Sequence, residues 1–360
     1  MNQDDYRRLI SGRTRGPAAW LSRRLLAPCA GVYRLVVGLR NYSYSAGLLK
    51  VYRTGAAVIC VGNITTGGAG KTPLVIWLAG QITGNPKLGI SSSECAILTR
   101  GYKTGNTGQD EPALLAQSCP GVAVSVNPDR AASAAEAAHK LAAKVLIMDD
   151  GFQHRRLARD LDIVAIDAMC PFGYGRILPA GLLREPIASL KRAHAVVITR
   201  CDQVGDGQVS AIENKLRCVN PALVIARSIH APVHAGTADN RRIGLEELKG
   251  RRIFAFCGIG NPDAFFGTIR RLGAELVGSK VYDDHYHYTQ RDLTEIYALA
   301  ESSMADFVLT TQKDFTKTVH TKAPGRMPLA YLAVEVRFTA GLDKLKQLIE
   351  DTLADKIGAN

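Results

Sequence analysis

Residues Val58 to Trp77 read VICVGNITTGGAGKTPLVIW, and this stretch predicts both the fold and the kind of ligand. The apolar segment up to Asn63 predicts a buried strand, and KTPLVIW after it has the spacing of a helix. The glycines between them lie at a strand-to-helix turn, where backbone N–H groups and a helix N-terminus bind phosphate. The stretch resembles the P-loop pattern G-x-x-x-x-G-K-[ST], except that Thr65 stands at the first glycine position.

The loop residues are all candidates for nucleotide binding. They are Thr65, Thr66, Gly67, Gly68, Ala69, Gly70, Lys71 and Thr72. In a P-loop the lysine reaches the β- and γ-phosphates and the following hydroxyl holds Mg²⁺. The missing first glycine weakens the match but leaves the anion-facing part of the loop intact. A glycine-rich turn without a ligand would not need Lys-Thr at the start of a helix, so we predict a nucleotide site.

A second segment, KVLIMDDGFQH, supplies the carboxylates that a P-loop needs near the metal. Its apolar run ends in Asp149 and Asp150, as a Walker B strand does. Adjacent strand residues point to opposite faces, so we expect one of the two acids to contact the metal or its water directly. The alternative is that these residues cap the turn.

Apolar segments alternate with helical ones along most of the chain. The predicted strands include AAVICVGN, CAILTR, GVAVSV, KVLIMDD, LDIVAID and AHAVVITR. This pattern predicts an α/β fold of the P-loop NTPase type, with a mostly parallel sheet covered by helices. The polar, turn-rich segment 226–250 predicts a linker or hinge between a P-loop domain (54–225) and a smaller C-terminal α/β domain (251–360).

The N-terminal segment 1–53 holds ten Arg and Lys and two Asp, a net charge of +8 out of +12 for the chain. Large aliphatic side chains are mixed with these arginines, and no apolar run is long enough to span a membrane. The segment is also a poor signal peptide, and its aliphatic content disfavours nucleic-acid binding. Two interpretations remain: a basic amphipathic anchor on an anionic membrane, or core-packing helices with a solvated basic face.

Eight cysteines are scattered without any C-x-x-C pair, which favours a reduced cytosolic protein over a disulfide framework or a zinc site. Two further groups are ambiguous from the residues alone. Asp110 in GQDEP fits a helix cap better than a catalytic acid. His285 and His287 in VYDDHYHY form a possible metal pair without an evident third ligand, so partly buried polar histidines are the simpler interpretation.

Taken together, VGNITTGGAGKTP, TRGY, GQDEP, DDGFQHRRLARDLDIVAID, GRILPAGLLREP and DDHYHYT occur in this order and resemble the tetraacyldisaccharide 4'-kinase family over nearly the whole chain. That family phosphorylates the lipid A precursor at the cytoplasmic face of the Gram-negative inner membrane, and its phosphate loop accepts Ser or Thr where Thr65 stands. The resemblance implies ATP as donor, Mg²⁺ as cofactor and an acylated glucosamine disaccharide as acceptor, with no nucleic-acid partner.

The resemblance also implies residue roles. Lys71 and Thr72 bind phosphates and metal, and Asp149 and Asp150 fill the Walker B position. Asp110 matches the proposed catalytic base, and His285 matches its partner in a dyad. Other active-site positions of the family are matched by His154, Arg184 and Glu185. These roles reverse the simpler interpretations of Asp110 and His285, and they place the two residues in different predicted domains, so that their meeting would require closure.

The acylated acceptor also favours membrane contact by the N-terminal segment. The main alternative function is a P-loop GTPase or ATPase switch, or a metal-insertase-like NTPase, in which no acceptor is phosphorylated. That class usually has a lysine before the paired glycines, where this chain has Thr66. A membrane-docked adaptor that binds nucleotide only for structure is a third possibility. VITRCD and LTTQKD both depart from the T-K-x-D guanine signature, and we interpret both as incidental.

Overall fold

The computed structural model describes residues 3–101, 110–239, 241–283, 286–318, 321, 324–325 and 327–358, with the backbone alone at positions 3, 4, 110 and 111. The chain forms two compact units. The first contains residues 1–101, 115–229 and 338–360, and the second contains 102–114 and 230–337.

The first unit is built on a parallel sheet. Its strands are β1 (Ala57–Gly62), β2 (Cys95–Thr99), β3 (Ala123–Val126), β4 (Val145–Asp149), β5 (Leu161–Asp167), β6 (Ala195–Thr199) and the start of β7 (Val224–Thr237). Their order is β7-β6-β5-β1-β4-β2-β3, and every pair is parallel. All residues of β1, β2, β4, β5 and β6 are buried, as expected for strands covered on both faces. The predicted α/β class is confirmed.

Six helices precede or connect these strands. They are α1 (Gln3–Ile10), α2 (Pro17–Ser45), α3 (Lys71–Thr83), α4 (Asp110–Ser118), α5 (Arg130–Lys140) and α6 (Asp206–Val219). The start of α5 is fixed by its cap, because the Asp129 carboxylate accepts hydrogen bonds from the N–H groups of Ala131 and Ala132. Helix α2 continues through Pro28 for 29 residues. In the described parts of the chain, no helix combines the length and apolarity needed to cross a membrane.

The second unit repeats the alternation of strand and helix. Its elements are β8 (Arg242–Ile243), α7 (Leu245–Leu248), β9 (Arg252–Cys257), α8 (Pro262–Arg271), β10 (Glu275–Val281), α9 (Gln290–Ser302), β11 (Phe307–Thr311), α10 (Gln312–Thr318) and β12 (Leu329–Ala340). The order β10-β9-β11-β12 is parallel, and β8 pairs antiparallel with the end of β7. The chain then forms a last helix, α11 (Leu342–Gly358), in the first unit.

Two features differ from the sequence-based expectation. Much of the polar segment 226–250, expected to be a linker, belongs to the long strand β7. Backbone pairing with β6 and β8 supports this strand, and the N–H and C=O groups that pair are present in polar and apolar residues alike. Helix α11 lies in the first unit, although the sequence alone grouped it with the C-terminal domain. The division of the chain into these four segments stays a prediction. All eight cysteines are free.

Candidate active site

The phosphate loop connects β1 to α3, at the carboxyl end of the central strand. Gly67 and Gly70 have φ angles of 105° and 79°, in the left-handed region that favours glycine. Helix α3 begins at Lys71, directly after Gly70. The loop therefore ends at a helix N-terminus, where unpaired N–H groups can bind an anion.

Thr65 needs no left-handed backbone, which explains how it can replace the first glycine of the P-loop pattern. It forms an antiparallel bridge with Leu183, and the neighbouring Thr66 N–H donates to the carbonyl of Leu182 at 2.8 Å. Both threonines are thus paired with the segment GLLREP. This pairing also brings the following residue, Arg184, beside the loop, where its N–H donates to the Ile64 carbonyl at 2.7 Å.

The far side of the loop is held by the last residue of β6 and the residue after it. The Thr199 hydroxyl donates to the carbonyl of Ala69 at 3.0 Å, and Arg200 Nη1 donates to the carbonyl of Gly68 at 2.8 Å. The same Arg200 nitrogen pairs with Asp167 at 2.7 Å. Because a trans peptide directs its N–H away from its carbonyl, these bonds orient the next N–H groups. VITRCD, which we interpreted as incidental from the sequence, therefore supports the phosphate loop. Its place at the carboxyl end of a predicted parallel strand was the signal that could have identified this role.

Two ion pairs that share Asp150 form a chain of charges, Lys71–Asp150–Arg184. Lys71 Nζ lies 3.4 Å from Asp150 Oδ1, and Arg184 Nη1 donates to both Asp150 oxygens at 2.8 and 2.9 Å. Burial alone would raise the pKa of Asp150, but the positive charges of Lys71 and Arg184 outweigh it and hold the pKa at about 2. The carboxylate is therefore ionised at neutral pH and balances both cations.

Asp149 lies at the end of β4 with only 2% of its surface exposed. Its Oδ2 accepts a hydrogen bond from the Thr99 hydroxyl at 3.5 Å, and its backbone carbonyl accepts one from Arg130 Nη2 at 3.2 Å. Asp150, with φ of 49°, turns the chain so that the two acids face different neighbours. Two carboxylates and the Thr72 hydroxyl provide the hard oxygen donors that Mg²⁺ prefers, so the residues fit this ion.

His154 follows this loop and is held by its backbone. Its N–H donates to the Gly151 carbonyl at 2.8 Å, and its carbonyl accepts from Arg159 Nη1 at 2.9 Å. Burial, with a further effect from the Arg130 charge, lowers the pKa of His154 to about 4. The imidazole is neutral at physiological pH, and its buried Nε2 has no hydrogen-bond partner among the residues that the structure describes.

The Glu185 carboxylate is buried, with none of its side chain exposed. One of its oxygens accepts a hydrogen bond from Arg40 Nη2 at 3.2 Å, and the other accepts one from Arg192 Nη2 at 2.6 Å. The Arg192 guanidinium also stacks over the Phe152 ring at 4.6 Å. Sequence patterns pointed to Glu185 itself but missed both arginines. Arg40 could not be found in this way because it lies 145 residues away on α2.

The remaining predicted residues are Asp110 and His285. Asp110 is the first residue of α4, which confirms the expected helix start, but its side chain lies outside the described residues. His285 also lies outside them. In the side chains that the structure does describe, no three His, Cys, Asp or Glu residues are grouped closely enough to hold a metal ion. The proposed dyad stays a prediction.

A parallel α/β sheet, a phosphate loop after its central strand and acids after a neighbouring strand define a P-loop nucleotide-binding protein. A family model for tetraacyldisaccharide-1-P 4'-kinase matches residues 22–354. The chain belongs to this family.

Individual relatives agree with this assignment. Tetraacyldisaccharide 4'-kinase from Anaeromyxobacter sp. (strain Fw109-5) is 39% identical over 94% of this chain and 93% of its own. The same enzyme from Geobacter metallireducens is 36% identical over 86% of this chain and 92% of its own. The crystal structure of LpxK from Aquifex aeolicus in complex with ATP has a TM-score of 0.69 and 28% identity, covering 92% of this chain and 99% of that one.

Family membership confirms the resemblance found in the sequence. The chain is an ATP-dependent kinase that transfers phosphate to a hydroxyl group, and the alternative of a GTPase, ATPase or metal-insertase-like switch is not favoured.

Proposed function

We propose that this chain transfers the γ-phosphate of ATP to the 4'-hydroxyl of the tetraacyldisaccharide 1-phosphate precursor of lipid A, forming lipid IVA. The observation that carries the proposal is the pairing of Lys71 and Arg184 with Asp150 beside the phosphate loop. A cation already held beside this loop by a carboxylate is placed to meet a nucleotide phosphate, as phosphoryl transfer requires.

In this proposal the chain binds the phosphates through backbone N–H groups where the loop meets the start of α3, and through the Lys71 ammonium. Thr72, Asp149 and Asp150 would hold Mg²⁺, which when bound neutralises charge on the β- and γ-phosphates. When a nucleotide enters, Lys71 can exchange its contact with Asp150 for the phosphate oxygens. Arg184 keeps Asp150 ionised throughout. His154, Arg184 and Glu185 complete the nucleotide side of the site.

The acceptor hydroxyl needs a group to take its proton. We assign this role to Asp110 and the orientation of its carboxylate to His285. A carboxylate positioned at a sugar hydroxyl increases its nucleophilicity as the bond to phosphorus forms. Asp110 is the first residue of α4.

The acceptor carries acyl chains, so the enzyme must reach a bilayer. We propose that α2 contacts the membrane surface and that the protein acts at the cytoplasmic face of the bacterial inner membrane, as a peripheral enzyme. Exposed apolar side chains on α2 support this: Trp20, Leu21, Leu25, Val32, Leu35, Val36 and Leu39 are each more than half exposed. Such a row, flanked by arginines, suits an interfacial helix on anionic lipid.

The deciding experiment is transfer of labelled γ-phosphate to tetraacyldisaccharide 1-phosphate in detergent micelles with Mg²⁺. ATP and GTP serve as parallel donors. We expect labelled lipid from ATP and little from GTP. Release of free phosphate without labelled lipid, above all from GTP, would contradict the proposal and favour a hydrolytic switch.

A further inference from the structure

Helix α2 buries part of its apolar surface against the first unit, but it also exposes several large aliphatic side chains to solvent. Val32, Leu35 and Leu39 are exposed. The Tyr33 hydroxyl, by contrast, donates to the carbonyl of Arg184 at 3.2 Å. Near the end of the helix, the carbonyl of Asn41 accepts from Arg155 Nη1 at 2.7 Å. The inner side of α2 therefore touches the two segments that carry the active-site charges.

Arg40 makes the most direct of these contacts. Its Nη2 donates to the carbonyl of Gln153 at 3.0 Å and to Glu185 Oε1 at 3.2 Å. The Gln153 side chain in turn donates to the carbonyl of Asn63, which precedes the phosphate loop, at 2.8 Å. One guanidinium thus joins the loop after β4 to the segment GLLREP and, through Gln153, to the end of β1.

The residues that Arg40 contacts lie close in the chain to Asp150 and Arg184, which belong to the chain of charges beside the phosphate loop. Glu185 directly follows Arg184, and Gln153 lies three residues after Asp150. Arg184 and Asp150 are themselves joined by two hydrogen bonds. Arg40 and the Arg184–Asp150 pair therefore tie the same two segments together at two points, and two ties define their relative position better than one.

We propose that Arg40 is a positioning residue that sets the geometry of Asp150 and Lys71 through Glu185 and the Gln153 carbonyl. This inference rests on the proposed kinase function. Without Arg40, the buried Glu185 is left with its pairing to Arg192, and the Gln153 carbonyl loses its charged donor. The two segments then move more independently, and small displacements of catalytic groups reduce turnover strongly.

The test compares Arg40→Met with Arg40→Lys and with Arg34→Met, a control at an exposed arginine on the same helix. We expect Arg40→Met to lower kcat per folded enzyme about tenfold, while the KM for lipid and vesicle binding stay near wild type. The thermal midpoint should fall as well, because the buried Glu185 loses one of its two paired cations. Arg40→Lys keeps a charged donor and should recover part of the loss. Arg34→Met should leave kcat unchanged.

Two further measurements separate positioning from other roles. In a Glu185→Gln background, Arg40→Met should have a smaller effect on kcat, because the two residues act through one contact. Titration with a fluorescent ATP analogue, with and without Mg²⁺, needs no turnover. We expect the gain in analogue affinity that Mg²⁺ provides to shrink in Arg40→Met, since Asp150 is displaced.

Three outcomes would overturn the proposal. Unchanged kcat and unchanged Mg²⁺-dependent affinity would exclude a positioning role. A change confined to vesicle binding and lipid KM would make Arg40 a membrane contact. A loss of activity that matches a loss of folded protein would make it structural. If the wild-type chain transferred no phosphate to lipid, the kinase proposal would fail, but the analogue titration would still decide the role of Arg40.

Discussion

Single charged groups decide the chemistry of this site. Asp150 balances Lys71 and Arg184, and Glu185 balances Arg40 and Arg192. Buried carboxylates of this kind are costly unless they are paired, so each arrangement needs both of its arginine or lysine partners. The positions of these two carboxylates are therefore fixed by ion pairs as well as by packing.

Asp110→Asn should lower kcat by about a hundredfold or more, because the amide cannot accept the proton of the acceptor hydroxyl. ATP affinity should stay near wild type, since the phosphate loop is unchanged. Steady-state transfer together with titration of an ATP analogue measures both quantities. Comparable losses in turnover and ATP affinity would count against the assignment of Asp110 as the base.

His154 makes the stability of the protein depend on pH. Burial lowers its pKa to about 4 from the ordinary 6.5, so between these values the unfolded chain binds a proton here and the folded chain does not. Stability should therefore fall as pH decreases through this window. Asp150, whose pKa is about 2, stays ionised and adds little to the change there.

We expect His154→Gln to show a smaller loss of stability between pH 7 and pH 5 than wild type. Urea unfolding midpoints at both pH values measure this difference. His139→Gln, at an exposed position on α5, is the matched control and should behave like wild type. An equal loss in wild type and His154→Gln would show that another group causes the pH dependence.

At the scale of elements, the close approach of β1 to the loop after β4 shapes the site. A Cβ atom at Gly62 would lie 2.5 Å from Phe152 Cβ and 2.8 Å from the Phe152 nitrogen. The backbone of the loop that carries Asp150 would have to move. Gly62→Ala should lower the free energy of unfolding by about 1–3 kcal/mol and reduce kcat as well.

Gly80→Ala is the matched control, because a Cβ there meets no atom within 4 Å. It lies inside α3 and should stabilise the protein by up to about 1 kcal/mol through helix propensity. Chemical denaturation and steady-state transfer compare the two variants. Similar stability and turnover in Gly62→Ala and wild type would mean that the loop can shift without consequence for Asp150.

Helix α2 presents a different test. Leu35 and Leu39 are 62% and 57% exposed, so their replacement by glutamate should leave folding intact. The double variant Leu35→Glu, Leu39→Glu should lose most of its sedimentation with anionic vesicles. Leu299→Glu, at an exposed leucine of α9, is the control. Equal vesicle binding by all three proteins would argue against α2 as the membrane contact.

At the scale of the whole molecule, charge is concentrated in the N-terminal segment, which carries +8 of the net +12. Attraction to anionic lipid should therefore depend on ionic strength, because salt screens charges over a distance of about 10 Å at 0.1 M. We expect vesicle binding to need anionic lipid and to weaken as salt is raised. Binding that is equal on neutral vesicles, or independent of salt, would refute an electrostatic contribution.

Sequence patterns were enough to predict the parallel sheet, the phosphate loop, the position of the two acids at the end of β4, and the family. These features depend on neighbouring residues: apolar strands, glycines at a turn, and Lys-Thr at a helix start are read along the chain. The start of α4 at Asp110 and the burial of the strands were predictable for the same reason.

The pairing of distant charges follows from the three-dimensional fold and from no local pattern. Arg40 reaches Glu185 across 145 residues, and Arg200 reaches Gly68 across 132. The pairing of Thr65 with Leu183 and the formation of β7 from a polar segment depend on backbone partners distant in the chain. Such contacts leave no periodic pattern, because their energy comes from groups that become neighbours only when the sheet has formed.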